Sequence, residues 1–199
     1  IMSTLQKLFR PVGLTELELI LDTNSTQFPP RLAWQPIFYP VLNEAYAAQI
    51  ADSWNTKDEF SGYCGFVTAF ELEKTYLSKF KVENVGGAMH NELWVPSEEL
   101  STFNDNIVHP IQVIDAFYGE NYKGILKNTQ AFKNLTVQEQ LEKVKALLSD
   151  KTALKSCMQT ECNAFLANIR FWRDNGLVES DLVNLCGVWG EVFGDLLLV

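Results

Sequence analysis

The chain has 199 residues, enough for one domain of ordinary size or a small domain with an appendage. Its 47% hydrophobic content supplies enough apolar surface to offset the entropy of folding, which excludes a disordered chain. A net charge of −9 with no run of basic residues excludes non-specific binding to a nucleic-acid backbone, and no apolar stretch reaches the roughly 18 residues of a membrane span.

In chain order, Leu5 to Pro11 reads as a short strand ending at Gly13. Thr15-Glu16-Leu17-Glu18 fits a capping box, and Leu17, Ile20 and Leu21 give the apolar face of a short helix. Residues 22–35 form a long polar loop containing Pro29-Pro30, of a length that is often functional. Pro36 to Pro40 predicts a short strand fenced by prolines, at a sheet edge. Asn43 caps a helix with Ala47, Ile50, Ala51 and Trp54 on its buried face. Tyr63 to Leu72 alternates in the manner of a strand, with Cys64, Phe66, Thr68, Phe70 and Leu72 on one side. A short helix or turn over 75–80 and a strand over 81–85 lead to Gly86-Gly87. Asn91 to Pro96 is a further strand, Ser97 caps a helix, and Ile107 to Tyr118 is a last strand.

After Gly119 the pattern changes. Residues 121–134 are polar and weakly patterned, as in a linker. Thr136-Val137-Gln138-Glu139 is a second capping box, followed by Val137, Leu141, Val144 and Leu148 at helical spacing. Leu154, Met158, Cys162, Phe165, Ile169 and Trp172 predict one long helix, stopped by Asn175-Gly176. A last helix starts at Ser180 and carries Gly187, Gly190 and Gly194 on roughly one face, which fits either close helix–helix approach or a helix broken near its end. The apolar Leu196 to Val199 predicts burial, in this fold or in a partner.

The cysteines at 64, 157, 162 and 186 have neither metal-site nor disulfide-scaffold spacing and read as buried free thiols. With no basic-then-apolar leader, this predicts a cytoplasmic location. No dinucleotide fingerprint, phosphate loop or paired-histidine zinc motif is present, so no metal is expected.

Three features carry candidate chemistry. Arg10 ends the first strand, where its fork can meet a phosphate or carboxylate, or a surface carboxylate of the chain itself. Tyr39 and Tyr46 flank a strand-to-helix junction and can hold a flat ring or simply pack in the core. Glu92 shares a strand face with His90 and Trp94, an arrangement that suits acid–base or electrostatic work as well as a solvated face.

Five strings resemble a family of bacterial proteins labelled by ADP-ribosylation and crystallin: Leu8-Phe9-Arg10-Pro11-Val12-Gly13, Phe28-Pro29-Pro30-Arg31, Ile37-Phe38-Tyr39-Pro40-Val41, Trp54-Asn55-Thr56-Lys57-Asp58 and Glu92-Leu93-Trp94-Val95-Pro96. The likeness covers about residues 4–119. The order of features is similar to the ADP-ribosyltransferase fold, with Arg10 on the first strand, an aromatic on a following strand (Tyr39, with Tyr46) and Glu92 on a later one. The resemblance implies NAD as substrate, with Arg10, Tyr39 and Tyr46 holding it and Glu92 and His90 as catalytic groups. A carboxylate beside the ribose would stabilise the positive charge that develops as the nicotinamide bond breaks. His90 stands where arginine-modifying members carry a second Glu, which argues against arginine as acceptor.

The combined expectation is an α+β protein. Residues 1–120 form an ADP-ribosyltransferase-like domain with a mixed or antiparallel sheet, and residues 121–199 a helical segment of about three helices. The alternative is a non-enzymatic interaction module whose helical segment docks a protein partner or self-associates, with neither nucleic acid nor membrane involved.

Overall fold

A computed structural model describes residues 4–199 and shows an α+β protein that divides into two compact units, the first running to Gly119 and the second from Glu120 to Val199. The first unit is built on strand β3, Cys64–Glu73. It pairs antiparallel with β1, Leu5–Val12, on one side and with β6, Gln112–Tyr118, on the other. A second antiparallel sheet has β5, Asn91–Pro96, between β2, Ile37–Phe38, and β4, Lys81–Asn84.

Val41 joins the two sheets, bridging to Phe9 of β1 and to Glu92 of β5. The segment around β2 therefore lies between β1 and β5 and is not the outer edge that its flanking prolines suggest. Those prolines cost no hydrogen bond, because the segment is held through carbonyls: Pro36 O accepts from Ser97 N at 2.9 Å and Pro40 O from Leu93 N at 2.8 Å.

Strand β3 is covered on both faces. On one face Val67 and Ala69 pack with Phe9, Val41, Ala47 and Ala51, the last two from helix α2, Glu44–Ser53. Asn43 caps α2 by accepting from Tyr46 N at 3.2 Å. The face of α2 is narrower than its spacing implies, for Trp54 is 75% exposed. On the other face Phe70 meets Phe28, with ring centroids 4.7 Å apart, and Phe28 meets Phe38 at 5.1 Å. Phe103 of helix α4, Leu100–Asp105, completes this cluster against Phe38 at 5.4 Å.

The long loop is tethered. Phe28 N donates to Asn104 Oδ1 at 2.9 Å while Asn104 Nδ2 donates to Phe28 O at 3.0 Å. Helix α1, Leu14–Leu21, begins one residue before the expected box, with Gly13 as its N-cap and no capping side chain. The remaining helix of this unit, α3, is the short Lys74–Leu77.

The second unit has four helices, α5 Val137–Leu147, α6 Lys151–Thr160, α7 Cys162–Asp174 and α8 Glu179–Phe193, where the sequence pattern suggests three. The expected long helix breaks at Glu161. This buried carboxylate accepts from Thr129 Oγ1 at 2.6 Å, Gln130 N at 2.9 Å and Ala131 N at 2.6 Å. Apolar spacing runs on through the break, so periodicity alone gives no sign of it. The 121–134 stretch is no free linker either: Tyr122, Leu126 and Phe132 are buried in this unit.

Gln140 knits the unit together, donating to Gly124 O at 3.0 Å and accepting from Trp172 Nε1 at 2.8 Å. Phe165 and Trp172 meet edge to face at 5.3 Å. Nothing lies within 4 Å of a Cβ built on Gly187 or Gly190, so neither marks a close helix approach, while Gly194 ends α8 at φ 58°. Leu196 and Leu198 are buried and Leu197 and Val199 exposed. Among the described residues no helix is long and apolar enough to cross a membrane.

Candidate functional site

The site follows from how β1 meets the β2 segment. Their pairing is confined to the Phe9–Val41 bridge. Past Phe9, residues Arg10 to Gly13 and Tyr39 line a pocket of about 590 Å³. Its other walls are Leu19 and Glu16 of α1, Pro29 to Leu32 of the long loop, Ile50 of α2, and Asn55, Asp58, Phe60 and Ser61 of the turn after α2. A cavity of this size suits a nucleotide-sized ligand.

Arg10 is only 6% exposed, so its charge must be paired. Glu16 pairs it in a fork, with Nε to Oε1 at 2.8 Å and Nη2 to Oε2 at 3.2 Å. The guanidinium carbon also lies 4.9 Å from the Phe38 ring centre and 5.9 Å from that of Tyr39. A second guanidinium, Arg31, stands 5.8 Å from the Tyr39 ring and donates Nε to Ile37 O at 3.1 Å. Burial, and then the charge of Arg10, lower the pKa of Arg31.

The other expected residues form a second cluster. Glu92 is buried and both its oxygens are occupied, Oε1 by Tyr46 Oη at 2.9 Å and Oε2 by Trp94 Nε1 at 3.0 Å. Burial and the neighbouring Glu92 carboxylate push the Tyr46 hydroxyl up to about 12. His90 packs its ring 4.6 Å from that of Tyr46. It accepts from Gly87 N at Nδ1, 2.9 Å away, and its Nε2 lies 3.2 Å from Gln49 Oε1. A ring that accepts at Nδ1 keeps its proton on Nε2, where Gln49 Oε1 can receive it.

The two clusters meet on adjacent strand segments. The register that pairs Phe38 with Val95 and Val41 with Glu92 sets Tyr39 opposite Trp94. Arg10 and Tyr39 line the pocket; Glu92, Tyr46 and His90 are not part of its wall. Tyr46 is engaged by Glu92 through its hydroxyl, where the sequence reading has it holding a ring.

Arg31, Glu16 and Asn55 belong to the pocket and were not singled out by sequence reasoning. Arg31 and Asn55 lie within two of the five strings that carry the family likeness, which is the signal that could have found them. Among the described residues no cluster of His, Cys, Asp or Glu could hold a metal ion. The four cysteines are unpaired by disulfides, and burial raises the pKa of each thiol.

Comparison with family models, with curated proteins and with solved structures finds no match to this chain.

Proposed function

We propose that the first unit is an ADP-ribosyltransferase-like domain that binds NAD or a related nucleotide and cleaves the nicotinamide–ribose bond, water adding to ribose C1′ with loss of a proton as neutral nicotinamide leaves. The observation that carries this reading is the arrangement of Arg10, Tyr39 and Glu92 on three neighbouring strand segments, β1, the β2 segment and β5, joined through Val41.

In this reading Glu92 acts from beside the pocket, outside its wall, and its negative charge stabilises the positive charge that grows on the ribose as the bond breaks. Tyr46 and Trp94 fix the carboxylate by one hydrogen bond to each oxygen, so it need not reorganise during the reaction. Tyr39 offers its ring to a flat group, and Arg10 its guanidinium to the diphosphate. The strand register sets Tyr39, which lines the pocket, opposite Trp94, whose indole donates to Glu92.

The test is calorimetric titration with NAD, coupled to chromatographic assay of nicotinamide, on the native chain and on Glu92→Gln. The native protein should bind NAD and release nicotinamide. The variant should bind comparably and release none. No heat of binding to the native chain would overturn the reading.

A further inference from the structure

Two guanidinium groups, Arg10 and Arg31, line one pocket, and a single carboxylate of that pocket, Glu16, is paired with Arg10. The pocket's other carboxylate, Asp58, is committed elsewhere: it accepts from Ser61 Oγ at 2.6 Å and from Phe60 N at 3.3 Å. Arg10 and Glu16 act on Arg31 through their charges, and Tyr39 also through a side-chain hydrogen bond. This end of the cavity therefore carries one net positive charge, within a chain whose net charge is −9. Leu19, Ile50, Pro29 and Phe60 give the same pocket apolar lining, and Phe60 is 92% exposed.

We infer that Arg31 and Arg10 form a subsite for the diphosphate of a nucleoside diphosphate, and that Glu16 is an internal carboxylate that occupies the Arg10 fork until the diphosphate displaces it. A bidentate carboxylate presents two oxygens to a guanidinium much as a phosphate does, so Glu16 and an incoming phosphate compete for the same donors. Arg31 supplies the second cation that a diphosphate needs and Glu16 alone does not neutralise. The apolar walls take the nucleoside rings. The inference rests on the reading above for its choice of nucleotide, but it concerns binding and the Glu16 latch, and neither requires catalysis.

The probe is ADP, with adenosine as its uncharged counterpart, titrated calorimetrically into the full chain and into Arg31→Gln and Glu16→Gln. ADP should bind the native chain and adenosine should bind far more weakly. Arg31→Gln should weaken ADP binding about tenfold or more. Glu16→Gln should tighten it by about tenfold, because the competitor is gone and the pocket gains a net positive charge. ADP binding indifferent to Arg31→Gln, or unchanged or weakened by Glu16→Gln, overturns the inference. Failure of the two proposals is separable. Nicotinamide release that ignores Glu92 removes the catalytic reading and leaves the ADP results standing; cleavage of NAD with ADP binding unaffected by Arg31 does the reverse.

Discussion

Tyr46 Oη donates its proton to Glu92 Oε1 across 2.9 Å, tying helix α2 to strand β5 through a carboxylate that is 9% exposed. Phenylalanine at position 46 keeps the ring and leaves that oxygen without a donor. Tyr46→Phe should therefore lower stability by about 1–3 kcal/mol in urea titrations. The double variant with Glu92→Gln should cost less than the two single changes summed, since they break the same bond. Strict additivity would show the bond contributes nothing.

Alkaline pH should destabilise the protein. Tyr46 and Cys64 are each held at about 12 in the fold, against ordinary values of 10.0 and 9.0, and Cys162 of the second unit at about 11. Burial is the leading cause in all three. Each folded value lies above its unfolded one, so the unfolded chain loses protons first. The stability they contribute is complete below about pH 9 and falls as pH rises toward about 12. Urea midpoints measured across that range should decline, and Cys64→Ala should flatten the decline. A constant midpoint would show that these groups titrate alike in both states.

Two glycines should respond oppositely to alanine. A Cβ on Gly65 of β3 would overlap the backbone carbonyl of Ala51, because α2 lies directly on that strand. Gly65→Ala should cost about 2 kcal/mol or more, as overpacking does. Gly187 sits inside α8 with nothing within 4 Å of a built Cβ. Gly187→Ala should stabilise the helix by about 0.5–1 kcal/mol. Thermal unfolding of both variants checks the contrast, and a destabilised Gly187→Ala would contradict the open space around it.

Glu161 clamps the start of the second unit. Its carboxylate takes three hydrogen bonds from Thr129, Gln130 and Ala131 while only 5% exposed. Glu161→Ala orphans those donors and should cost about 3 kcal/mol. Loss of tryptophan fluorescence from Trp172 and Trp189 at lower urea is the readout. Glu161→Gln, which still accepts but presents a single carbonyl, should fall between the two.

The sheets of the first unit were legible because each strand carries a local signal. The alternation of Cys64, Phe66, Thr68 and Phe70 predicts β3, and Asn91 to Pro96 predicts β5. The pairing was not legible. That Val41 would bridge Phe9 and Glu92 depends on contacts far apart in sequence, and single-strand patterning carries no register. Trp54 shows the limit of helical spacing: it falls on the apolar stripe of α2 but lies past the helix end, exposed. At Glu161 the difficulty is of another kind. The carboxylate leaves the helix to meet three partners about thirty residues earlier, and apolar periodicity is blind to a polar clamp.

The candidate site was half legible. Arg10, Tyr39 and Glu92 stood out through the order in which they occur along the chain, which carries the family likeness. In the capping box of residues 15–18, whose carboxylate is that of Glu18, Glu16 read only as an inner position. Its turn toward Arg10 follows from the burial of that guanidinium, which no local pattern reveals.

Strand β3 is sheathed on both faces and paired along both sides, so its amides should exchange with solvent only when the whole first unit opens. Arg10, hydrogen-bonded through its carbonyl to Thr68 of that strand, belongs to this slow layer. Glu92 belongs to the smaller sheet, bordered by a four-residue outer strand with little cover. The two halves of the candidate site thus sit in layers of unequal local stability. Deuterium uptake in β5 should be the sensitive gauge of anything that closes over the pocket, while β1 and β3 stay silent.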